Sequence, residues 1–379
     1  MMILFPYIFL LLCFVSIAYL NISTRALSAK SYKVLAITGT IALICFAGCR
    51  WNAFDYIGNN IFDYATYKYI FDHPVRLGHF FSDISKEGDI LLKVDKGYIL
   101  LSSLFSRYII DNYHVWLLFF SFVSVLLFYK GLIRNHIHKY ILFVLFMYLA
   151  RLYFQYNFII IRQALSMAIV WWAIPYVYHK RWRFVFCCIL AATIHFSAVA
   201  FIITLILPKL YISNRIIIVT IFLLIISSLF NITSEIIIRI VGSLSSIFGL
   251  ERLVVAYIEN QTSGINPLNF VEMLPFFYLA LRYKNQLYAS NEGRLFFNML
   301  ILYIVYMLVT MNFMGLTRIS SYFIYSYFYI VEFAFSRIRM HSERMLIGGV
   351  LSIYFILYGV RFIFANFISY PYDFVSFHL

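Results

Sequence analysis

Apolar residues fill long runs of this chain, and short clusters of Lys and Arg separate one run from the next. A helix needs about 20 mainly apolar residues to cross the hydrocarbon of a bilayer, because each residue rises about 1.5 Å and every backbone N–H must be bonded internally. By that length the runs predict spans at 2–20, 33–49, 114–133, 139–158, 159–178, 183–207, 214–233, 267–281, 295–313, 318–335 and 345–367. The expected fold class is all-α, a polytopic transmembrane helical bundle of about 11–12 spans forming a single integral membrane domain over residues 1–379. The first run has neither a basic leader nor a small-residue cleavage site, and is expected to stay as a helix.

Composition agrees with the pattern. Of 379 residues 63% are hydrophobic and 12% charged, and mean hydropathy is +0.86. A soluble globule carries about 25% charged residues, so lipid is the solvent for most of this chain. Tyr and Phe number 32 and 41, many of them near span ends, where amphipathic rings favour the interface. Cys13, Cys45, Cys49, Cys187 and Cys188 lie in or beside apolar runs with no zinc-ligand spacing, and read as small buried hydrophobes. The net charge of +14 comes from basic residues in short loops between spans. That placement fits cytoplasmic anchoring, and no nucleic-acid partner is expected.

Orientation follows from the same loops. Arg25, Lys30 and Lys33, then Lys130, Arg134 and Lys139, then Lys180, Arg181 and Arg183 mark cytoplasmic turns. The stretch of about 50–112 then lies outside, as an acidic outer loop holding half of the 16 acidic residues. The later basic loops keep parity only with one more half-crossing: either the run 183–207 breaks near His195 into a re-entrant segment, or residues 236–250 also enter the membrane. A second outer loop is expected at about 234–266, an amphipathic lid or acceptor platform.

Ionisable groups at membrane depth are costly and mark function or pairing. Arg162 opens a span on the outer side, where a guanidinium can hold phosphate oxygens bidentately; a snorkelling or carboxylate-paired arginine is the bland alternative. His195 sits among apolar neighbours, where a hydrogen-bonded structural histidine is the commoner case. Arg318 supplies a second outer cation. Two such arginines beneath an acidic, aromatic loop suggest an anionic lipid headgroup near a polar partner. No D-x-D pair occurs, so no metal and no cofactor is expected.

The order Arg50-Trp51, Asp63-Tyr64 with Tyr67, Asp95-Lys96-Gly97-Tyr98, Arg162-Gln163-Ala164, Ala191-Ala192-Thr193-Ile194-His195-Phe196-Ser197-Ala198 and Arg318-Ile319-Ser320-Ser321-Tyr322 resembles the EpsG family of bacterial polysaccharide polymerases, related in role to the Wzy O-antigen polymerases. The chain departs from the family's pattern in the extra residues between Arg50 and Asp63, and in Lys96, where proline is common.

The resemblance implies a multi-pass glycosyltransferase of the bacterial inner membrane whose site faces the periplasm or exterior. It would move a glycan from undecaprenyl diphosphate onto another lipid-linked repeat unit, making O-antigen, capsule or exopolysaccharide. Donor and acceptor would both be undecaprenyl-diphosphate-linked glycans, and a chain-length regulator is an expected partner. Under that reading Arg162 and Arg318 hold the diphosphate. His195, Asp63 or Asp95 is the general base, and Tyr64, Tyr67 and Tyr98 stack on sugar faces. The bland reading makes Asp63 and Asp95 solvated loop charges or partners of Arg50. An O-antigen ligase, a flippase or transporter, and a membrane acyltransferase using His195 stay open as alternatives.

Overall fold

The computed structural model describes residues 4–23, 28–51, 64–76, 78, 94–230, 232, 235–236, 239, 267–310, 314–367 and 373–374. Nearly all of them are helical, as the apolar runs require. The exception is one antiparallel pairing of β1 (Arg50–Trp51) with β2 (Asp373–Phe374). Six helices among the described residues are long and apolar enough by themselves to cross a membrane: Phe5–Ser23, Lys30–Gly48, Tyr113–Arg134, Ile141–Ile159, Asn291–Thr310 and His341–Phe367. This is a multi-pass membrane protein.

Other expected spans are interrupted, and a proline explains one of the interruptions. The run 159–178 stops at Ala173 and resumes at Tyr176, because Pro175 has no backbone N–H to donate to the preceding turn. The run 183–207 breaks at His195, whose backbone is extended (φ −151°, ψ 110°); an α-helix precedes it and the 3₁₀ helix Phe196–Leu205 follows. A break at His195, one part of the expected re-entrant segment, is observed. Residues 240–250, most of the alternative entry, and nearly all of the expected lid at 234–266 lie outside the described residues.

The chain sorts into two compact units, residues 1–199 with 335–379, and residues 200–334. In the first, α1 (Phe5–Ser23), α2 (Ala29–Gly48), α3 (Tyr64–Asp72), α4 (Lys96–Tyr108), α5 (Tyr113–Arg134) and α6 (Ile141–Tyr148) lead into a π-helical stretch, Leu149–Ile159. Then come α7 (Ile161–Ala173), α8 (Tyr176–His179) and α9 (Arg181–Ile194). Lipid gives no hydrophobic drive for helices to associate, so close van der Waals packing must hold them, and small residues permit it. Gly48 lets α2 lie against Leu118 of α5, where an added Cβ would come within 2.7 Å of the Leu118 backbone. Gly131 does the same for α5 against Trp172 on α7.

The second unit contains α10 (Asn214–Leu229), α11 (Pro267–Arg282), α12 (Lys284–Tyr288), α13 (Asn291–Thr310) and α14 (Met314–Ser320). Within it Asn298 donates to the carbonyls of Leu207 and Leu210 at 2.8 and 2.9 Å, and Phe276 stacks on Tyr327 with centroids 3.6 Å apart.

Candidate functional site

Five functional side chains expected from the sequence, Tyr67, Asp95, Tyr98, Arg162 and His195, fall in the first unit on segments that pack together. Asp95 is the N-cap of α4. An aspartate there usually accepts a backbone N–H of its own helix. This one makes no such bond. Its carboxylate reaches outward instead: one oxygen accepts from Arg162 Nη1 at 2.6 Å, and the other accepts the Phe196 backbone N–H at 3.2 Å. Asp95 thereby ties the start of α7 to the break at His195.

Gly97 permits this geometry. A Cβ at this position would sit 2.5 Å from both the carbonyl oxygen and the Oγ1 of Thr193, the penultimate residue of α9. Only a residue without a side chain lets the first turn of α4 approach the end of α9 so closely. On α9 itself, the Ala191 carbonyl accepts the Ser166 hydroxyl of α7 at 3.0 Å, joining the third element of the site. His195 closes α9, and its Nδ1 lies 2.6 Å from Ser197 Oγ.

Arg162 stands in the first turn of α7, where the helix dipole is positive and a cation is disfavoured. Asp95 offsets that cost. The Arg162 Nε also donates to the Tyr67 hydroxyl at 3.4 Å, with the guanidinium 5.5 Å from the Tyr67 ring centre. The pair is partly open, with side-chain exposures of 12% for Arg162 and 23% for Asp95, so an incoming polar group can reach both. Burial raises the Asp95 carboxyl above the usual carboxylate value, and this outweighs the lowering by Arg162 and by the Phe196 amide.

Beneath the pair lies an aromatic floor. Tyr67 and Tyr98 pack with centroids 5.2 Å apart, and Tyr98 accepts the Trp116 indole N–H at 3.3 Å. Both tyrosines are buried, at 1% and 0% exposure. Neither ring presents the open face that stacking on a sugar needs. Tyr67 supports Arg162, and Tyr98 packs against Tyr67.

The sequence model of the EpsG family matches residues 33–374. This chain belongs to the EpsG family. EpsG proteins are Wzy-like polysaccharide polymerases, so membership supports a membrane polysaccharide polymerase. No curated protein and no solved structure matches the chain.

The remaining expected residues of this EpsG chain are placed unevenly. Asp63 lies outside the described residues, and for Tyr64 only its backbone, opening α3, is described. Arg318 is an exposed residue in the last turn of α14, in the second unit. Asp95 is neither a solvated charge nor a partner of Arg50, since its cation is Arg162. Among the described residues no group of three or more His, Cys, Asp or Glu gathers.

Sequence reading overlooked Arg50 as a part of the framework. It is buried at 3% exposure and donates to the carbonyls of Asn157 at 2.7 Å and Phe158 at 3.3 Å, with its guanidinium 4.5 Å above the Phe158 ring. The last carbonyls of a helix need outside donors, and Arg50 supplies them to the π-helical stretch just ahead of Arg162. The Asn157 side chain extends the network, donating to Tyr148 at 2.7 Å and accepting from Ser124 at 3.1 Å. A buried arginine beside an apolar run was the available signal, but its partners are main-chain oxygens, which any sequence supplies.

Proposed function

We propose that this protein is a membrane glycosyltransferase that polymerises undecaprenyl-diphosphate-linked oligosaccharide repeat units on the extracytoplasmic face of the inner membrane. One observation carries the reading in an EpsG chain: the part-exposed Arg162–Asp95 pair, set at a helix N-terminus and against the break at His195. A cation and a positive helix end together suit a diphosphate.

Under this reading the lipid diphosphate competes with Asp95 for Arg162. An acceptor hydroxyl attacks the anomeric carbon of the donor glycan, a glycosidic bond forms, and the carbon–oxygen bond to the diphosphate breaks with its electron pair leaving on the diphosphate. That leaving group needs little protonation, so holding its charge is the protein's main task. The hydroxyl proton passes to a base, Asp95 or His195, with Asp63 as the third candidate. Arg318 is proposed as a second diphosphate contact and Tyr64 as a sugar contact, both from the family motif.

The raised Asp95 carboxyl gives this mechanism a pH signature. If ionised Asp95 is the base, the rate climbs with pH through a limb lying above 3.8, the ordinary value for this group. Purified enzyme with a lipid-linked repeat is expected to show that limb, and Asp95→Asn to lose it together with most of the rate. An unchanged limb in Asp95→Asn would move the base assignment to His195 or Asp63.

The decisive experiment is the glycan ladder of cells lacking the gene, complemented with wild type, Arg162→Ala or His195→Ala at equal expression. A polymerase leaves a single repeat on carrier or core in the deletion, and neither variant restores the ladder. Long chains stranded on the carrier would instead indicate a ligase, and a repeat stalled on the cytoplasmic face a flippase. A normal ladder lacking acyl groups would indicate an acyltransferase.

A further inference from the structure

The basic ends of three helices in the first unit enclose a cleft of about 850 Å³ that the reaction does not use. Lys33 of α2, Lys130 and Arg134 of α5, and Lys139 just before α6 line it, and its wall exposes mainly carbon, including Ile37, Ile133 and Trp172. No Asp or Glu occurs among the described residues that line it.

Local structure sets the cations in place. The end of α5 closes with His136 at φ 59°, the His136 N–H bonding to Ile133 and the Ile137 N–H to Leu132. This left-handed cap turns the chain sharply, so that residues on either side of it face one space. The Arg134 guanidinium is held 4.2 Å from the Trp172 ring centre and 4.7 Å from that of Tyr176, which restrains it before any ligand arrives.

Anchoring at the membrane face explains basic loops in general, but not this arrangement. Arg134 in the last turn of α5 is partly offset by the dipole there. Lys139 stands just ahead of α6, where the dipole adds to its charge. A soluble anion would meet the cations and leave the carbon wall against water. An acyl chain covers that wall while its headgroup meets the charges.

We propose that this cleft binds an anionic phospholipid of the cytoplasmic leaflet, with the headgroup phosphate among Lys33, Lys130, Arg134 and Lys139 and an acyl chain along Ile37, Ile133 and Trp172. The leaflet follows from the positive-inside rule, since these loops are basic. The inference is independent of the glycan chemistry.

Trp172 makes the site observable. The purified full chain is placed in phosphatidylcholine nanodiscs containing a small share of phosphatidylglycerol brominated on its acyl chain, and compared with the same share of brominated phosphatidylcholine. Tryptophan emission is expected to be quenched several-fold more by the anionic lipid. The excess should vanish in Trp172→Phe, and also in the double variant Lys33→Gln/Lys130→Gln, both exposed lysines. Quenching by the zwitterionic lipid, which reports fold and insertion, should stay the same in the double variant. Equal quenching by the two lipids overturns the proposal, as does an excess that survives Trp172→Phe. Loss of the excess on adding soluble glycerol phosphate also overturns it, because the site would then read a free phosphate and not a lipid.

Discussion

Arg162→Ala is expected to lower polymerisation by about 100-fold, the usual cost of removing one preorganised charge that stabilises a developing anion. Arg162→Lys keeps the charge but loses the planar fork that can hold two phosphate oxygens, and about a tenfold loss is expected. Neither change should empty the membrane of protein. The Arg162–Asp95 pair is only partly buried, so losing one partner is expected to cost less than breaking a fully buried pair. Without the guanidinium, Asp95, already shifted upward by burial, takes up a proton more readily, which relieves an unpaired charge. Activity and expression therefore separate, and the measurement is chain length on the ladder normalised to protein in the membrane. Wild-type chain length in both variants would remove Arg162 from the mechanism.

Gly97→Ala is expected to cost nearly as much although it touches no reacting atom. Helix propensity alone favours the change, by up to about 1 kcal/mol. Against that stands an added carbon 2.5 Å from the Thr193 carbonyl oxygen and 2.7 Å from its carbon, both backbone atoms that cannot swing aside. Overpacking of this kind costs about 1–3 kcal/mol, so the clash wins and α4 must draw back from α9. Such a retreat breaks the bond between Asp95 and the Phe196 amide, and misplacing a site by about 1 Å can lower a rate by about 100-fold. The expected result is a folded, inserted protein with short glycans. A cysteine cross-link between α4 and α9 that forms as readily in Gly97→Ala as in Gly97 protein would refute the displacement.

Membership of the membrane class was legible because lipid makes a single demand, about 20 apolar residues with internal hydrogen bonds, and that demand is met locally along the chain. The break at His195 was half legible. Orientation bookkeeping required an interruption there, but apolar residues on both sides gave no helix-stop signal, and the extended backbone of His195 is held by its surroundings. The tyrosines show the opposite limit. Tyr67 and Tyr98 look the same in sequence whether they face a sugar or a core, and only the fold shows Tyr98 against Trp116 and Tyr67 against Tyr98.

Sequence by itself thus determined that the protein is helical and crosses a membrane repeatedly, which residue types could meet a charged lipid, and the family to which their order belongs, since each of these is carried by local composition or by ordered motifs. Tertiary structure alone decided that Arg162 is partnered by Asp95, that Gly97 is needed at the approach of α4 to α9, and that Arg50 serves main-chain carbonyls. Those pairings join residues 67, 96 and 107 positions apart, and where the partner is a main-chain group, as for Arg50, it leaves no mark on the sequence of the partner.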